Sequence, residues 1–460
     1  MQSSYIKNLD NIKKIHFIGI GGSGMFPIAR ILKEKGYEIT GSDIYESDTI
    51  EKVRNIGIHV KMEQKEENII DQDLVVFSAA IKDENPEIIA AKNKSIPMIE
   101  RSVMLGIIFK DYKNSIGVAG THGKTTTTSM IASILIDAGK DPTAVIGGTL
   151  NKIKGNSCLG KSDIIVGEAC EYVDSFLELY PYCSVITNVD SDHLDYFKTF
   201  DNVKKSFRQF ASQTSGLLVV NGDDKNAREC VKDLETKAIF FGFSKNNDYY
   251  ADNIVFNELQ MATFSIMHKD KKIVDVSLSV PGKHNIYNAL AAFLVAENLG
   301  VETEKICEAL KNFKGAHRRF EILEKINGIT VADDFAHHPT EIESTLNFVK
   351  KMNFKRVWTV FQPHTYSRTF MFINEFAKAL SISDKVVISD ILPVREVNIY
   401  GINSENLVNK IPNAVYVPTF EEIADFIVNN ATSGDLVLTM GGGNVYKCAD
   451  MIVSRLKKSF

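Results

Sequence analysis

The stretch SIGVAGTHGKTT, Ser115 to Thr126, runs from a short apolar strand through a glycine-bounded turn into a helix. Backbone N–H groups in such a turn converge on a phosphate group, and the helix N-terminus adds favourable partial charge. Lys124 is placed to reach β- and γ-phosphates, and a hydroxyl of Thr125 or Thr126 to join a Mg2+ shell. The pattern departs from a strict P-loop, because Val118 stands five residues before Gly123, where that pattern has glycine. Gly120, Thr121, His122, Gly123, Lys124, Thr125 and Thr126 are the candidate ATP contacts.

On both sides of this stretch, short apolar strands alternate with helical segments, which predicts α/β architecture with mostly parallel sheets. Before it come KKIHFIGI (13–20), YEITGSD (37–43), DLVVFSAA (73–80) and IPMIE (96–100), with helices expected at about 24–36, 84–94 and 101–110. After it, strands are expected at 163–168, 183–188 and 216–221, an antiparallel flank over 236–280, and helices over 284–299 and 303–313. A third αβ pattern begins near 320, with strands EILEKINGITVADD (321–334), RVWTVF, KVVISDI, AVYVP and DLVLTM. Three domains follow: a Rossmann-like one over 1–112, a P-loop-type ATPase domain over 113–318, and a C-terminal Rossmann-like domain over 319–460. At roughly 150 residues per domain, the 460 residues suit that division.

Composition narrows the function. A net charge of −5 argues against a generally basic nucleic-acid binder, so bound anions must be held locally by loops and helix ends. The six cysteines form no CxxC pair and no zinc spacing, as in reduced cytosolic proteins. The N-terminal MQSSYIKNLDNIKK has no signal-peptide core, and no apolar run reaches the ~18 residues of a membrane span. The expectation is a cytoplasmic protein without membrane insertion, a monomer or weak dimer.

A second glycine loop, Gly19-Ile20-Gly21-Gly22-Ser23-Gly24, also lies between strand and helix, and Asp43 ends the following strand. This G-x-G-x-x-G pattern suits a dinucleotide, another nucleotide diphosphate such as a UDP-sugar, or a plain tight turn. Asp43 is placed to bond a ribose hydroxyl. Hydride transfer needs no ATP, so two phosphate loops in one chain suggest two nucleotides, one the energy source and one a substrate handle.

Glu168 follows the strand DIIVG, and Asp190, Asp192, His193 and Asp195 follow CSVITN. Both lie at strand C-terminal ends, where open α/β sheets place ligands. One carboxylate and one imidazole suffice for Mg2+ when water and phosphate supply the other oxygens.

The ordered segments GTHGKT (120–125), TNVDSDHLDYF (187–197), GKHNIYNALAA (282–292), AHRRFE (316–321), DDFAHHPTEI (333–342), FQPHTYSRT (361–369) and MGGGN (440–444) resemble those of the Mur ligase family. The first-domain GIGGSGM (19–25) resembles its L-alanine-adding members. The resemblance implies ATP- and Mg2+-dependent joining of L-alanine to the carboxylate of UDP-N-acetylmuramate through an acyl phosphate. It implies Thr125 or Thr126, Glu168 and His193 as magnesium ligands, Asn285 and Asn288 at the adenine, Arg319 at the ATP phosphates and Asp334 at the ribose. Gly21, Gly22, Ser23, Gly24, Met25, Ser42 and Asp43 would hold the UDP moiety. His337, His364 and Arg368 would lie near the amino acid, with His337 or His364 taking the amine proton. Cys170, Phe335 and Thr365 depart from residues common in the family. Three rivals remain: a sister ligase adding another amino acid or peptide; an NAD-dependent oxidoreductase, which leaves GTHGKTT unexplained; and a non-catalytic nucleotide-gated binding protein on a ligase scaffold, against which Lys124, Glu168 and His193 argue.

Overall fold

A computed structural model describes residues 8–394 and 396–458, apart from the side chain of Asp195. Among the described residues there are three sheets. The first is all parallel, in the order His59–Lys61, Glu38–Ser42, Lys14–Ile18, Leu74–Phe77, Met98–Glu100. Ile15 and Phe17 point into one core and Ile18 into another, because successive strand residues face opposite sides.

The second sheet has ten strands. At its centre Cys183–Ile186, Asn114–Ala119 and Ile164–Glu168 lie side by side and parallel. The helix Lys124–Asp137 leaves the middle one of these strands. The first two sheets belong to one compact unit with a shared core. The Phe109 ring lies where a Cβ on Gly167 would come within 2.9 Å of it.

The other compact unit is Lys314–Phe460 with two short segments, Phe256–Ala262 and Ser279–Gly282. Its sheet runs Glu321–Ile326, Ile329–Asp334, Asp435–Met440, Arg356–Phe361, Lys385–Ile388, Ala414–Tyr416. Leu436, Leu438 and Met440 enter the core on one face and Val437 the core on the other, as a parallel sheet covered on both sides requires. The single strand expected over 321–334 is instead an antiparallel hairpin. Asn327 and Gly328 turn it with φ of 50° and 81°, the pair that a tight two-residue turn prefers.

Candidate active site

The phosphate loop is shaped by two glycines with positive φ, Gly120 at 141° and Gly123 at 87°. Neither position has room for a side chain. A Cβ on Gly120 would lie 2.0 Å from Thr187 Oγ1, and one on Gly123 2.7 Å from Asn288 Oδ1. Asn188 stitches the loop to the neighbouring strand end: its Oδ1 accepts from His122 N at 2.8 Å, and its Nδ2 donates to the His122 carbonyl at 2.9 Å.

Lys124 is folded back on this loop. Its ammonium donates to the Gly120 carbonyl at 2.6 Å and to Glu171 Oε1 at 3.0 Å. The Glu171 side chain is 2% exposed and that of Lys124 16%. Glu171 went unnoticed in the sequence, where only its place three residues after Glu168 hinted at it.

Glu168 ends one neighbour of the phosphate-loop strand and His193 follows the other. Glu168 Oε1 accepts from Gly147 N at 2.5 Å, and a Cβ on Gly147 would come within 2.6 Å of Oε2. The adjacent Gly148 bears on Thr125, whose Cγ2 a Cβ there would meet at 3.1 Å. Gly147 and Gly148 thus hold Thr125 and Glu168 against one short segment. The His193 ring packs on Tyr172 at 4.8 Å, which ties it to the segment after Glu168. That segment is strained: Val173 and Asp174 both have positive φ, 49° and 57°, a costly conformation for a β-branched residue. Asp174 anchors it by accepting from Tyr196 at 2.7 Å and from Ser206.

Among the described residues no three His, Cys, Asp or Glu side chains form a metal-binding group. A hydroxyl, a carboxylate and an imidazole, as Thr125, Glu168 and His193 would offer, are a donor set that suits a hard divalent cation when water and phosphate supply the other oxygens.

In the first glycine loop Asp43 Oδ2 accepts from Gly21 N at 3.0 Å, and its Oδ1 accepts from Ile44 N at 2.8 Å. The carboxylate locks the loop and is 7% exposed. Gly22 and Ser23 are exposed, whereas Met25 is buried at the start of the helix Met25–Glu34. Ser42 is turned inward, fully buried, and donates to Glu87 at 2.6 Å. Asn288 is likewise buried: its Oδ1 accepts from Thr127 at 3.1 Å and its Nδ2 donates to Asn285 at 2.9 Å.

In the C-terminal unit three adjacent parallel strands, ending at Asp334, Met440 and Phe361, bring Phe335–His337, Gly441–Gly443 and Gln362–His364 together. The His337 and His364 rings are 5.8 Å apart, and a Cβ on Gly442 would come within 3.0 Å of His337 Cγ. His337 Nδ1 lies 3.0 Å from the Phe335 carbonyl. A carbonyl only accepts, so Nδ1 carries the proton and Nε2 is left as the basic nitrogen. Burial lowers the pKa of His337. Burial, then the neighbouring His337 and Arg368, bring that of His364 down to about 4. His364 Nδ1 and Arg368 Nη1 are buried without a hydrogen-bond partner among the described residues, which is uncommon for buried polar atoms.

Asp334 accepts from Phe320 N at 2.7 Å and Ala336 N at 2.9 Å, and burial pushes its pKa up to about 6. Arg319 is exposed, its guanidinium 5.8 Å from the Phe335 ring. The adjacent Arg318 is 7% exposed. It pairs with Asp333 at 2.7 Å and donates to the carbonyls of Gly443 at 2.6 Å and Gly441 at 2.5 Å. It holds the glycine turn in place, a role its sequence position did not disclose.

Three family models match consecutive parts of the chain. Residues 14–113 match the Mur ligase family catalytic domain, 118–296 the Mur ligase middle domain, and 318–443 the Mur ligase glutamate ligase domain. Over 457 residues the chain is 47% identical to the UDP-N-acetylmuramate–L-alanine ligase of Caldanaerobacter subterraneus subsp. tengcongensis, covering 98% of this chain and 99% of that one. Its identity to the enzyme of the same name from Agathobacter rectalis is 46% over 448 residues, 96% of this chain and 98% of that one. The crystal structure of UDP-N-acetylmuramate-alanine ligase MurC from Thermotoga maritima is similar with a TM-score of 0.80 at 29% identity, over 97% of this chain and 100% of that one. A murein peptide ligase from Psychrobacter arcticus is similar with a TM-score of 0.69 at 26% identity, over 96% and 98%.

Proposed function

This chain belongs to the Mur ligase family, and we propose that it joins L-alanine to the carboxylate of UDP-N-acetylmuramate while ATP is converted to ADP and phosphate. The observation that carries the reading is the glycine-shaped turn Gly120–Gly123, on which Lys124 folds back, with Thr125 and Glu168 both set against Gly147 and Gly148. The choice of substrates follows the relatives that match this chain from end to end.

A free carboxylate has no leaving group and must be activated. One of its oxygens attacks the γ-phosphorus of ATP, the bond to the β-phosphate oxygen breaks, and an acyl phosphate and ADP result. Negative charge gathers on the phosphoryl oxygens, and Lys124 meets it. Gly120 to Thr126 cradle the phosphates, Asn285 and Asn288 support the adenine end, and Arg319 and Asp334 read phosphate and ribose. Thr125, Glu168 and His193 would hold a magnesium ion, which when bound supplies further charge neutralisation. The loop from Gly21 to Met25, framed by Ser42 and Asp43, takes the UDP moiety.

The amine of L-alanine then attacks the acyl carbon. The tetrahedral adduct expels inorganic phosphate, a proton leaves the nitrogen, and an amide remains. His337 accepts that proton through Nε2, in preference to His364, whose lower pKa makes it the weaker base. His364 and Arg368 bind the amino-acid carboxylate. The reading carries with it a cytoplasmic location and a monomer or weak dimer.

Phosphate release with ATP, Mg2+ and UDP-N-acetylmuramate, run against a panel of single amino acids, tests this. Release that requires the sugar nucleotide, is strongest with L-alanine and yields a product heavier by one alanine residue is the expected result. Release only with a peptide would move the chain to a sister activity.

A further inference from the structure

The Arg101 side chain starts the helix Arg101–Lys110 and lies across the end of the first glycine loop. A Cβ on Gly24 would meet its Cδ at 3.1 Å, Nε at 3.2 Å and Cζ at 3.3 Å, so the bare glycine lets the guanidinium lie against the turn. The loop itself is pinned from the edge of the central sheet. Asn156 Nδ2 donates to the Ser23 carbonyl at 3.1 Å, and Arg30 Nη1 to the Ser157 carbonyl at 2.6 Å.

Among the described residues no carboxylate or carbonyl hydrogen-bonds the Arg101 guanidinium. Its ionisable neighbours are Glu100 and Cys170. Burial pushes the Cys170 thiol up, so it stays neutral and is no counter-ion. Burial also holds the guanidinium below its ordinary pKa, yet far from losing its charge at neutral pH. A half-buried cation with so little compensation, set on a loop of exposed glycine and serine, suits an anionic ligand.

We propose that Arg101 binds an anionic group of the sugar nucleotide, its diphosphate or its muramyl carboxylate, at the end of the first glycine loop. This deepens the function proposed above and rests on it.

The test is calorimetric titration of UDP and of UDP-N-acetylmuramate into the wild-type chain, R101M and R101K. ADP binding serves as the check that each variant is folded. Loss of one charge-assisted pair predicts a roughly 10–100-fold weaker Kd in R101M, partly restored in R101K, with ADP affinity unchanged. Equal weakening for both ligands assigns the diphosphate; weakening confined to UDP-N-acetylmuramate assigns the carboxylate. Wild-type affinity of R101M for both ligands overturns the proposal and leaves the ligase reading standing. A wild-type chain that binds neither ligand overturns the ligase reading, and the proposal with it.

Discussion

The ammonium of Lys124 lies 3.0 Å from Glu171 Oε1 and 2.6 Å from the Gly120 carbonyl oxygen. The cation proposed to meet a phosphate is thus held by a buried carboxylate. In the proposed reaction a phosphate in the turn replaces that carboxylate as its partner.

Glu171→Gln is expected to destabilise the nucleotide-free chain, because removing one member of a buried pair costs about 3–5 kcal/mol when the other charge is left alone. The remaining bond to Gly120 should keep the loss at the low end. Saturating ADP with Mg2+ should recover most of the fall in Tm. An equal fall with and without ADP would show that Lys124 does not exchange Glu171 for phosphate. Lys124→Ala should abolish ligation while UDP-N-acetylmuramate still binds, and wild-type turnover in that variant would remove Lys124 from the reaction.

Chelation of divalent cations is expected to stop ligation, and added Mg2+ to restore it. His193→Ala should raise the Mg2+ concentration for half-maximal rate by about 10-fold or more, since outer partners of a bound metal already contribute on that scale. An unchanged Mg2+ dependence would mean that His193 serves only to pack on Tyr172.

Arg318 and Arg319 should part company. Arg318→Met strands the fully buried Asp333 and removes two donors from the glycine turn, so a loss of about 3–5 kcal/mol in denaturant unfolding is expected. Arg319→Met should leave stability within about 0.5 kcal/mol, as for other surface changes, and raise the KM for ATP. The reverse pattern would exchange their roles.

His364 has a folded pKa of about 4, below its unfolded value. A base depressed on folding contributes stability that is fully present above the unfolded pKa, near 6.5, and is lost as pH falls towards 4. Wild type should therefore lose more stability than His364→Gln between those limits. The difference should be about 1–2 kcal/mol, reduced from the full linkage because solvent screens a partly exposed ring. Parallel pH profiles in urea denaturation would show that His364 does not titrate with folding.

Much of this molecule is written locally. The period of the apolar residues and the order of the later motifs were enough for three α/β domains, and the glycines within SIGVAGTHGKTT for the expectation of a phosphate site. Even the hairpin over 321–334 was signalled by Asn327-Gly328, an adjacent pair whose turn preference a single-strand reading passed over. What no local rule assigns is which polar group meets which. Lys124 finds a partner 47 positions away, and Arg318 reaches carbonyls 123 and 125 positions on, while its neighbour Arg319 faces solvent. Ser42 donates to Glu87, 45 positions on, and Asn288 accepts from Thr127, 161 positions back. Strand, helix and turn are set by near neighbours along the backbone, so the sequence alone determined them. Burial and pairing depend on which distant strand ends the sheets bring side by side, and only the tertiary structure decided those.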